Sequence, residues 1–228
     1  MSRSAVRVHA QHTEHLSRWL WLVKWLLLVP HYVILVFLGI AFVVTVLASY
    51  VMVLFTGRYP PGLFEFNLGV MRWGWRVNYY GYQALGTDRY PPFTLADVED
   101  YPARLHVDYP ERVPNWLPLV AWLLAVPHFV IVGALTGAAG WQSRDGGAEA
   151  ATPLGVVGVG LLIAGISLVF TGTYPRGLYD LVLGIARWSL RVVAYVALLT
   201  GDYPPFRLDQ GDDEPVPLAD GVNPAPGG

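Results

Sequence analysis

The sequence predicts an all-α integral membrane protein built from two tandem repeats. Three observations predict this class: the chain is poor in charge, it holds apolar runs long enough to cross a bilayer, and one long segment of it occurs twice. Charged residues make up 14% of the 228 residues, against about 25% in an average soluble domain. So little charge does not cover the surface of a water-soluble protein of this size.

Composition also excludes several classes of site. The chain has no cysteine, which excludes disulfides, cysteine-ligated zinc or iron–sulfur sites and cysteine nucleophiles. The net charge of −2 argues against a nucleic-acid partner, because such proteins present a basic face. The sequence has no phosphate-binding glycine loop, no serine elbow and no HExxH motif. We therefore expect a protein that is not an enzyme and has no cofactor and no metal site.

The repeat is read directly from the letters. Residues 19–34 and 116–131 are identical at twelve of sixteen positions, at an offset of 97. Residues 55–86 return as 170–201 with fifteen identities in thirty-two positions, at an offset of 115. The offset grows by 18 because the second copy carries an extra polar segment, and each copy closes with Tyr-Pro-Pro-Phe. Such self-similarity indicates a duplicated structural unit.

Each repeat is predicted to begin with a transmembrane hairpin. The apolar run from Leu16 to Phe55 has about forty residues, or about 60 Å as a helix. That length is two crossings of a hydrocarbon core about 30 Å thick, so a turn is expected near Gly39. In the second copy the extra polar segment separates two shorter apolar runs, 116–139 and 154–170, which are interpreted as the two arms of such a hairpin.

Polar segments set the predicted domain boundaries. We expect an N-terminal cytoplasmic tail, a first membrane repeat, a linker whose acidic cluster is a solvated loop, a second membrane repeat and a disordered acidic tail rich in proline and glycine. These five segments cover residues 1–15, 16–95, 96–115, 116–208 and 209–228 respectively.

A third, amphipathic helix follows each hairpin, over 63–85 and 178–199. At 100° per residue its polar side chains fall on one narrow stripe. The stripe of the first copy contains Glu65, Gly69, Arg72, Arg76, Tyr80 and Gln83, and that of the second contains Asp180, Gly184, Arg187, Arg191, Tyr195 and Leu198.

Two topologies compete for these helices. If they span the bilayer, the chain has six spans as a 3+3 inverted repeat, an architecture of transporters, and each arginine at mid-bilayer costs roughly 2.5–3.5 kcal/mol. If they lie along the interface, the chain has four spans and nearly all its arginines share one side, as the positive-inside rule requires. We favour four spans with both termini cytoplasmic, in the plasma membrane. The sequence alone does not decide between the two.

The motifs also resemble a known family. KWLLLVPHYVIL (24–35), LFTGRYPPGLFEFNLGVMRWGWRV (54–77) and RYPPFTL (89–95) together resemble an uncharacterised bacterial membrane family, domain of unknown function 4389, common in actinobacteria. The resemblance covers about residues 16–95 and again 116–208. It implies an integral membrane protein and no particular activity or binding residue.

Two histidines fall inside the apolar runs. His31 and His128 each follow a proline. A pair of intramembrane histidines could relay protons or bind a metal. The structural alternative is that each proline frees the carbonyl four residues back, that of Leu26 or Leu123, and that a neutral imidazole donates a hydrogen bond to it. We favour that alternative because no carboxylate or cysteine lies close in sequence.

The arginine pairs are the best candidates for ligand binding. Arg72 with Arg76, and Arg187 with Arg191, lie at i,i+4 spacing and are flanked by tryptophan. Two adjacent guanidinium groups can bind a phosphate, so an anionic lipid headgroup is the predicted ligand. The alternative is structural, with the arginines paired to their charge partners Glu65 and Asp180.

The sequence thus supports a scaffold or accessory protein of the membrane. It would engage anionic phospholipid, a membrane-protein partner or a second copy of itself through a cytoplasmic Arg/Trp belt. A small transporter or channel with inverted repeats is the alternative.

Overall fold

The structure, a computed structural model, describes residues 5–11, 16–17, 19–81, 84–137, 155–171 and 173–209. This part of the chain is mostly helical, as predicted. Its elements in chain order are β1 (Val6–Ala10), α1 (Leu20–Thr56), α2 (Pro61–Tyr80), β2 (Ala103–Val107), α3 (Leu117–Leu124), α4 (Val126–Thr136), α5 (Val156–Thr171) and α6 (Arg176–Val196).

Helix α1 is continuous, so the turn predicted near Gly39 is wrong. The helix runs for 37 residues and ends only where Gly57 adopts a left-handed conformation (φ 66°). Pro30 lies inside it, and Gly39 lies in its middle with no atom within 4 Å of where a Cβ would stand. Every residue around Gly39 is apolar, so nothing there favours a turn. The predicted four-span arrangement therefore loses its first hairpin.

Helix α5 continues in the direction of α4 instead of folding back on it. Both helices lie along α6: His128 of α4 bonds to Trp188, while Gly160 of α5 lies against Leu178. Those two points are ten residues apart on α6, or about 15 Å. In a hairpin, His128 and Gly160 would lie at nearly the same level. The prediction of a second hairpin is wrong as well.

The contacts with α1 lead to the same conclusion. Trp21, at the start of α1, packs against Gly165 of α5, whereas the stretch of α1 from Phe42 to Tyr50 shares a groove with Trp122 and the α4 residue Phe129. The line of α3, α4 and α5 therefore runs antiparallel to α1 over its length. Gly137 and Gly155 are adjacent in this line, and the extra polar segment between them lies outside the described residues.

Helices α2 and α6 form a second layer. Helix α2 runs antiparallel to α1, with Asn67 bonded to Thr45 and Gly81 against Leu28. Helix α6 runs antiparallel to the line of α4 and α5 in the same way. Both helices begin directly after a Tyr-Pro step, where proline at the N-terminus needs no hydrogen-bond acceptor for its nitrogen.

A two-stranded antiparallel sheet covers the second layer, which corrects the predicted all-α class. Strand β1 lies in the predicted tail and β2 in the predicted linker, and Val8 pairs with Leu105 at the centre of the register. Both strands alternate buried apolar and outward polar side chains, the pattern of a sheet with one face in water. The interpretation of the linker as a solvated loop is therefore wrong for 103–107.

The continuity of α1 makes a prediction about two glycines. Replacing Gly39 by alanine should stabilise the protein by about 0.5–1 kcal/mol, because glycine is costly inside a helix and the new Cβ meets nothing. Thermal unfolding followed by circular dichroism in one detergent measures the change. A lower midpoint for Gly39→Ala would show that this position is a turn after all.

Gly57→Ala is the matched control. An alanine at position 57 would have to keep a positive φ, and its Cβ would stand 2.9 Å from the Asn115 side-chain oxygen. The unfolding midpoint should therefore fall.

Candidate functional site

His31 is buried at the centre of an aromatic cluster whose outer rings, Tyr90 and Phe93, are partly exposed. Its Nδ1 accepts a hydrogen bond from the Trp73 indole Nε1 at 3.0 Å. The imidazole stacks on Phe93 with ring centroids 3.9 Å apart, and Tyr90 lies 5.0 Å away. The Tyr90 hydroxyl donates to the Leu27 carbonyl, one of the carbonyls near Pro30. The Tyr-Pro-Pro-Phe motif thus folds back over α1 and closes the cluster.

His128 lies in a second cluster with the same geometry. Its Nδ1 accepts from the Trp188 indole at 3.0 Å, its ring stacks on Phe206 at 4.0 Å, and Tyr203 lies at 5.0 Å. The Tyr203 hydroxyl donates to the Leu124 carbonyl, as its counterpart does to Leu27. Each histidine therefore makes its ring contacts within its own cluster.

The clusters give both histidines a structural contact, but the predicted bond from imidazole to the carbonyl of Leu26 or Leu123 is not the one formed. A tryptophan N–H is a donor only, so Nδ1 of each histidine must be the unprotonated acceptor nitrogen. That bond occupies one of the two nitrogens that a metal or a proton relay would use. Among the described residues, no group of three or more histidine, aspartate or glutamate side chains is placed to hold a metal ion.

The arginines of α2 bond to the protein's own backbone. Arg76 is 2% exposed and donates to the carbonyls of Thr94 and Ala96 in the segment after the first Tyr-Pro-Pro-Phe motif. Arg72 donates from Nε to the Leu105 carbonyl in the centre of β2 at 3.1 Å. Together they fasten that segment and the sheet to α2.

The arginines of α6 also bond to groups of the protein itself. Arg187, which is fully buried, donates to the carbonyls of Val8 in β1 and of Asp209. Arg191 forms an ion pair with the Asp209 carboxylate at 2.5 Å, with both side chains buried. The sequence predicts that Asp209 begins the disordered tail. It is instead the buried acidic partner of α6, and residues 210–228 lie outside the described residues.

The predicted headgroup site is therefore not formed on the surface. Arg76, Arg187 and Arg191 point into the protein, where their bonds hold loops and strands. Of the two predicted charge partners, Glu65 approaches Arg72 at 3.9 Å and is itself largely exposed. Asp180 forms no ion pair within the described ranges. Backbone carbonyls and Asp209 take these roles, which residue spacing on a helix does not predict.

Lys24 has a partner that was not predicted. It is 1% exposed, donates to the Thr87 carbonyl at 2.6 Å, lies 3.1 Å from the Asp88 carboxylate and stands over the Tyr80 ring. The second copy has Ala121 at this position, so this bond distinguishes the two halves.

The outward face of the sheet and its flanking loops is polar and charged. Arg7 pairs with Asp108 at 2.6 Å and Arg104 with Asp97 at 2.5 Å. The hydrogen bond from Arg104 holds the pKa of Asp97 below its usual value. Behind this face Tyr101 is buried, and burial raises the pKa of its phenol. This side of the molecule is suited to contact with water.

The opposite side, made by the outer faces of α1 and of α3–α5, is apolar and exposed over its full length. We call it the outer surface. Among the described residues, its large exposed side chains include Leu22, Val33, Val36, Phe37, Ile40, Leu47, Val51 and Phe55 on α1, and Leu119, Trp122, Val130, Val159, Ile163, Ile166 and Phe170 on the other line. Soluble monomers rarely expose apolar surface on this scale, so it indicates a contact with lipid or protein.

A groove of about 410 Å³ opens between the two lines of helices. Every residue that lines it is apolar or aromatic, and Tyr50 crosses its floor to donate a hydrogen bond to the Val196 carbonyl. At the equivalent place in the other half, Gly165 stands where Tyr50 would be and Trp21 fills the space. The groove suits a hydrocarbon chain.

Two exposed arginines lie at one end of the outer surface. Arg58 and Arg112 lie on adjacent loops, because the Val113 amide donates to the Gly57 carbonyl at 3.0 Å. In the part of the chain that the structure describes, neither forms an ion pair. Phe55 and Trp116, 78% and 57% exposed, lie at the same end. A cation beside exposed aromatic rings is typical of the headgroup region.

One family model matches part of the chain. Residues 18–94 match the family model of the domain of unknown function 4389. The matched range takes in α1, α2 and the whole first histidine cluster. No curated protein and no solved structure matches the chain.

The two clusters make a paired prediction. Trp73→Phe and Trp188→Phe each remove the indole N–H and leave a buried imidazole nitrogen without its donor, a loss of about 1–3 kcal/mol. Both variants should lower the unfolding midpoint by similar amounts. Trp116→Phe, at an exposed tryptophan, is the control and should change it little. Unchanged midpoints for the two cluster variants would contradict the assigned hydrogen bonds.

The buried ion pair makes another prediction. Asp209→Asn leaves the Arg191 charge buried without its counter-ion and should cost about 3–5 kcal/mol of unfolding free energy. Asp108→Asn breaks the exposed pair with Arg7 and should cost at most about 1 kcal/mol. Chemical unfolding of both variants in the same detergent compares them. Equal effects would show that Asp209 is not a buried partner in solution.

Proposed function

We propose that the protein is an integral membrane protein whose outer surface lies in lipid. The observation that carries the proposal is the exposure of the two apolar helix lines. Leu20–Thr56 and Leu117–Thr136 are long and apolar enough to cross a membrane, yet only 6% and 17% of their most apolar stretches are buried. The core helix of a soluble protein would be mostly buried, and a signal sequence would not account for the second line.

We also propose that residues 116–208 are a second copy of the matched domain, related to the first by an approximate two-fold axis. The matching distances in the two histidine clusters support this, as does the antiparallel course of α1 and α3–α5. The register of the sheet adds to it, because Val8 and Leu105 are 97 residues apart, which is the offset of the repeat. The recurrence of Arg-x-His in both strands extends the repeat to them.

The role we propose is that of a bacterial plasma-membrane scaffold or accessory protein without catalytic activity. It engages anionic phospholipid, and its polar sheet face is free to meet a membrane partner or a second copy. The lipid contact lies at Arg58 and Arg112 and not at the buried stripe. The rival transporter proposal has less support, since it needs the stripes to line a path, whereas they bind the protein's own loops.

The lipid contact is tested by removing it. Arg58→Gln with Arg112→Gln should weaken binding of phosphatidylglycerol to the detergent-solubilised protein, measured by native mass spectrometry. A basic residue near an anionic lipid surface contributes about 1 kcal/mol, so the double change should cost roughly 30-fold in affinity. Phosphatidylcholine binding should not change.

Arg7→Gln with Arg104→Gln is the charge-matched control on the sheet face and should keep the preference for phosphatidylglycerol. Loss of preference in the control alone would place the lipid contact on the sheet. Release of the wild-type chain from membranes by alkaline carbonate would overturn the membrane proposal itself.

A further inference from the structure

The position of the sheet along the axis of α1 constrains the orientation of the protein in a membrane. Leu38 is the middle residue of α1, and it packs against the buried cluster that contains the α2 side chain Trp73. The antiparallel contacts of Asn67 with Thr45 and of Gly81 with Leu28 place Trp73 at this level. Its neighbour Arg72 bonds to the Leu105 carbonyl in the middle of β2. The centre of the sheet therefore lies level with the centre of α1, on the far side of α2.

This level is incompatible with an upright α1 in a single copy of the chain. If α1 stood along the membrane normal, its midpoint would lie at the bilayer centre, and the charged sheet face would lie there too. Exposed charges such as Arg7 and Asp108 are expensive in hydrocarbon. They need water, which lies beyond the headgroups.

The length of α1 adds an independent argument. Its 37 residues extend about 55 Å, and its exposed side chains are apolar from one end to the other. Even at a tilt of about 40°, the upper end of the usual range, it would extend about 42 Å along the membrane normal. The hydrocarbon core is about 30 Å thick, so about 6 Å of apolar helix at each end would lie in the polar headgroup region.

We propose that the outer surface is a one-leaflet contact: α1 and the line α3–α5 lie in the membrane plane, immersed side by side in the acyl chains of one leaflet, with the sheet facing water. This rests on the proposed membrane function and names its lipid-facing surface. The approximate two-fold axis then runs along the membrane normal, and both halves see the same leaflet. The aromatic ends and the pair Arg58 and Arg112 lie at the headgroup boundary at the rim.

A depth scan on α1 tests the orientation. The chain has no cysteine, so Leu22→Cys, Ile40→Cys and Val51→Cys can each carry one nitroxide label in the full chain. These three exposed positions fall on one side of α1, away from Lys24, and span about 43 Å along it. Electron paramagnetic resonance, with oxygen and a water-soluble nickel chelate as relaxers, reports the depth of each label in phosphatidylcholine/phosphatidylglycerol vesicles.

The expected result is one common depth for the three labels within a leaflet. Leu119→Cys and Ile166→Cys, at the equivalent positions of the other line, should give the same depth. His106→Cys, on the sheet, is the control and should be in water. Circular dichroism of each labelled variant confirms that it is folded.

Two results would overturn the proposal, and they are distinguishable. A label at Ile40 near the bilayer centre, with Leu22 and Val51 near opposite surfaces, would show that α1 crosses the membrane. The one-leaflet contact would then be wrong while the membrane function stands. Labels exposed to the nickel chelate at all positions would show that neither holds.

Discussion

The constraint on which the rest of the structure depends is the length of apolar helix that the chain must keep from water. Two helix lines of about 55 Å each, apolar on every exposed side, cover one whole side of the molecule. At about 25 cal/mol per Å² of apolar area, leaving that side in water is far costlier than the few kcal/mol by which a protein is stable. The lipid environment that we propose would remove the cost, and the polar groups would then gather on the other side.

The buried arginines organise that other side. Arg72 and Arg76 on α2, and Arg187 on α6, donate to the backbone of loops and strands that lie over the helices. Arg191 on α6 pairs with the Asp209 carboxylate. Each guanidinium offers five donors in a fixed plane, which suits carbonyls that converge from different segments. The charge needed to hold the sheet and the closing loops is thus placed between layers, away from lipid. The histidine clusters fasten the same loops to the long helices by stacking.

Part of this architecture could be predicted from the sequence. The helical content and the two helices long and apolar enough to cross a membrane follow from the apolar runs, while the repeat and the membrane location remain predictions. The sequence favours a structural role for the two histidines but does not predict their tryptophan donors, because these lie 42 and 60 residues further along the chain. The strands were missed since five-residue segments inside polar regions give a weak signal. The repetition of Arg-x-His at an offset of 97, in 7–9 and 104–106, was the clue that could have found them.

The hairpins failed for a different reason. The prediction compared the helical length of a forty-residue apolar run with the thickness of a bilayer. That comparison presumes that the helix stands upright in the membrane. The inserted polar segment predicted a turn, but in the structure α4 before it and α5 after it run in the same direction. The arginine stripes were predicted to form a surface site, and the structure buries them. Spacing on a helix shows which side chains share a face, but it does not show what covers that face. Only the loops that return over α2 and α6 decide this.

One measurement tests the central claim, that the long helices lie in the plane of a lipid leaflet. Helices α1, α2, α6 and the line α3–α5 are all parallel or antiparallel to one another, so their average direction is well defined. Polarised infrared spectroscopy of the amide bands in a supported bilayer reports this direction for the whole chain. We predict a dichroism that places the helix axes parallel to the membrane plane. Helix axes along the membrane normal would contradict the account.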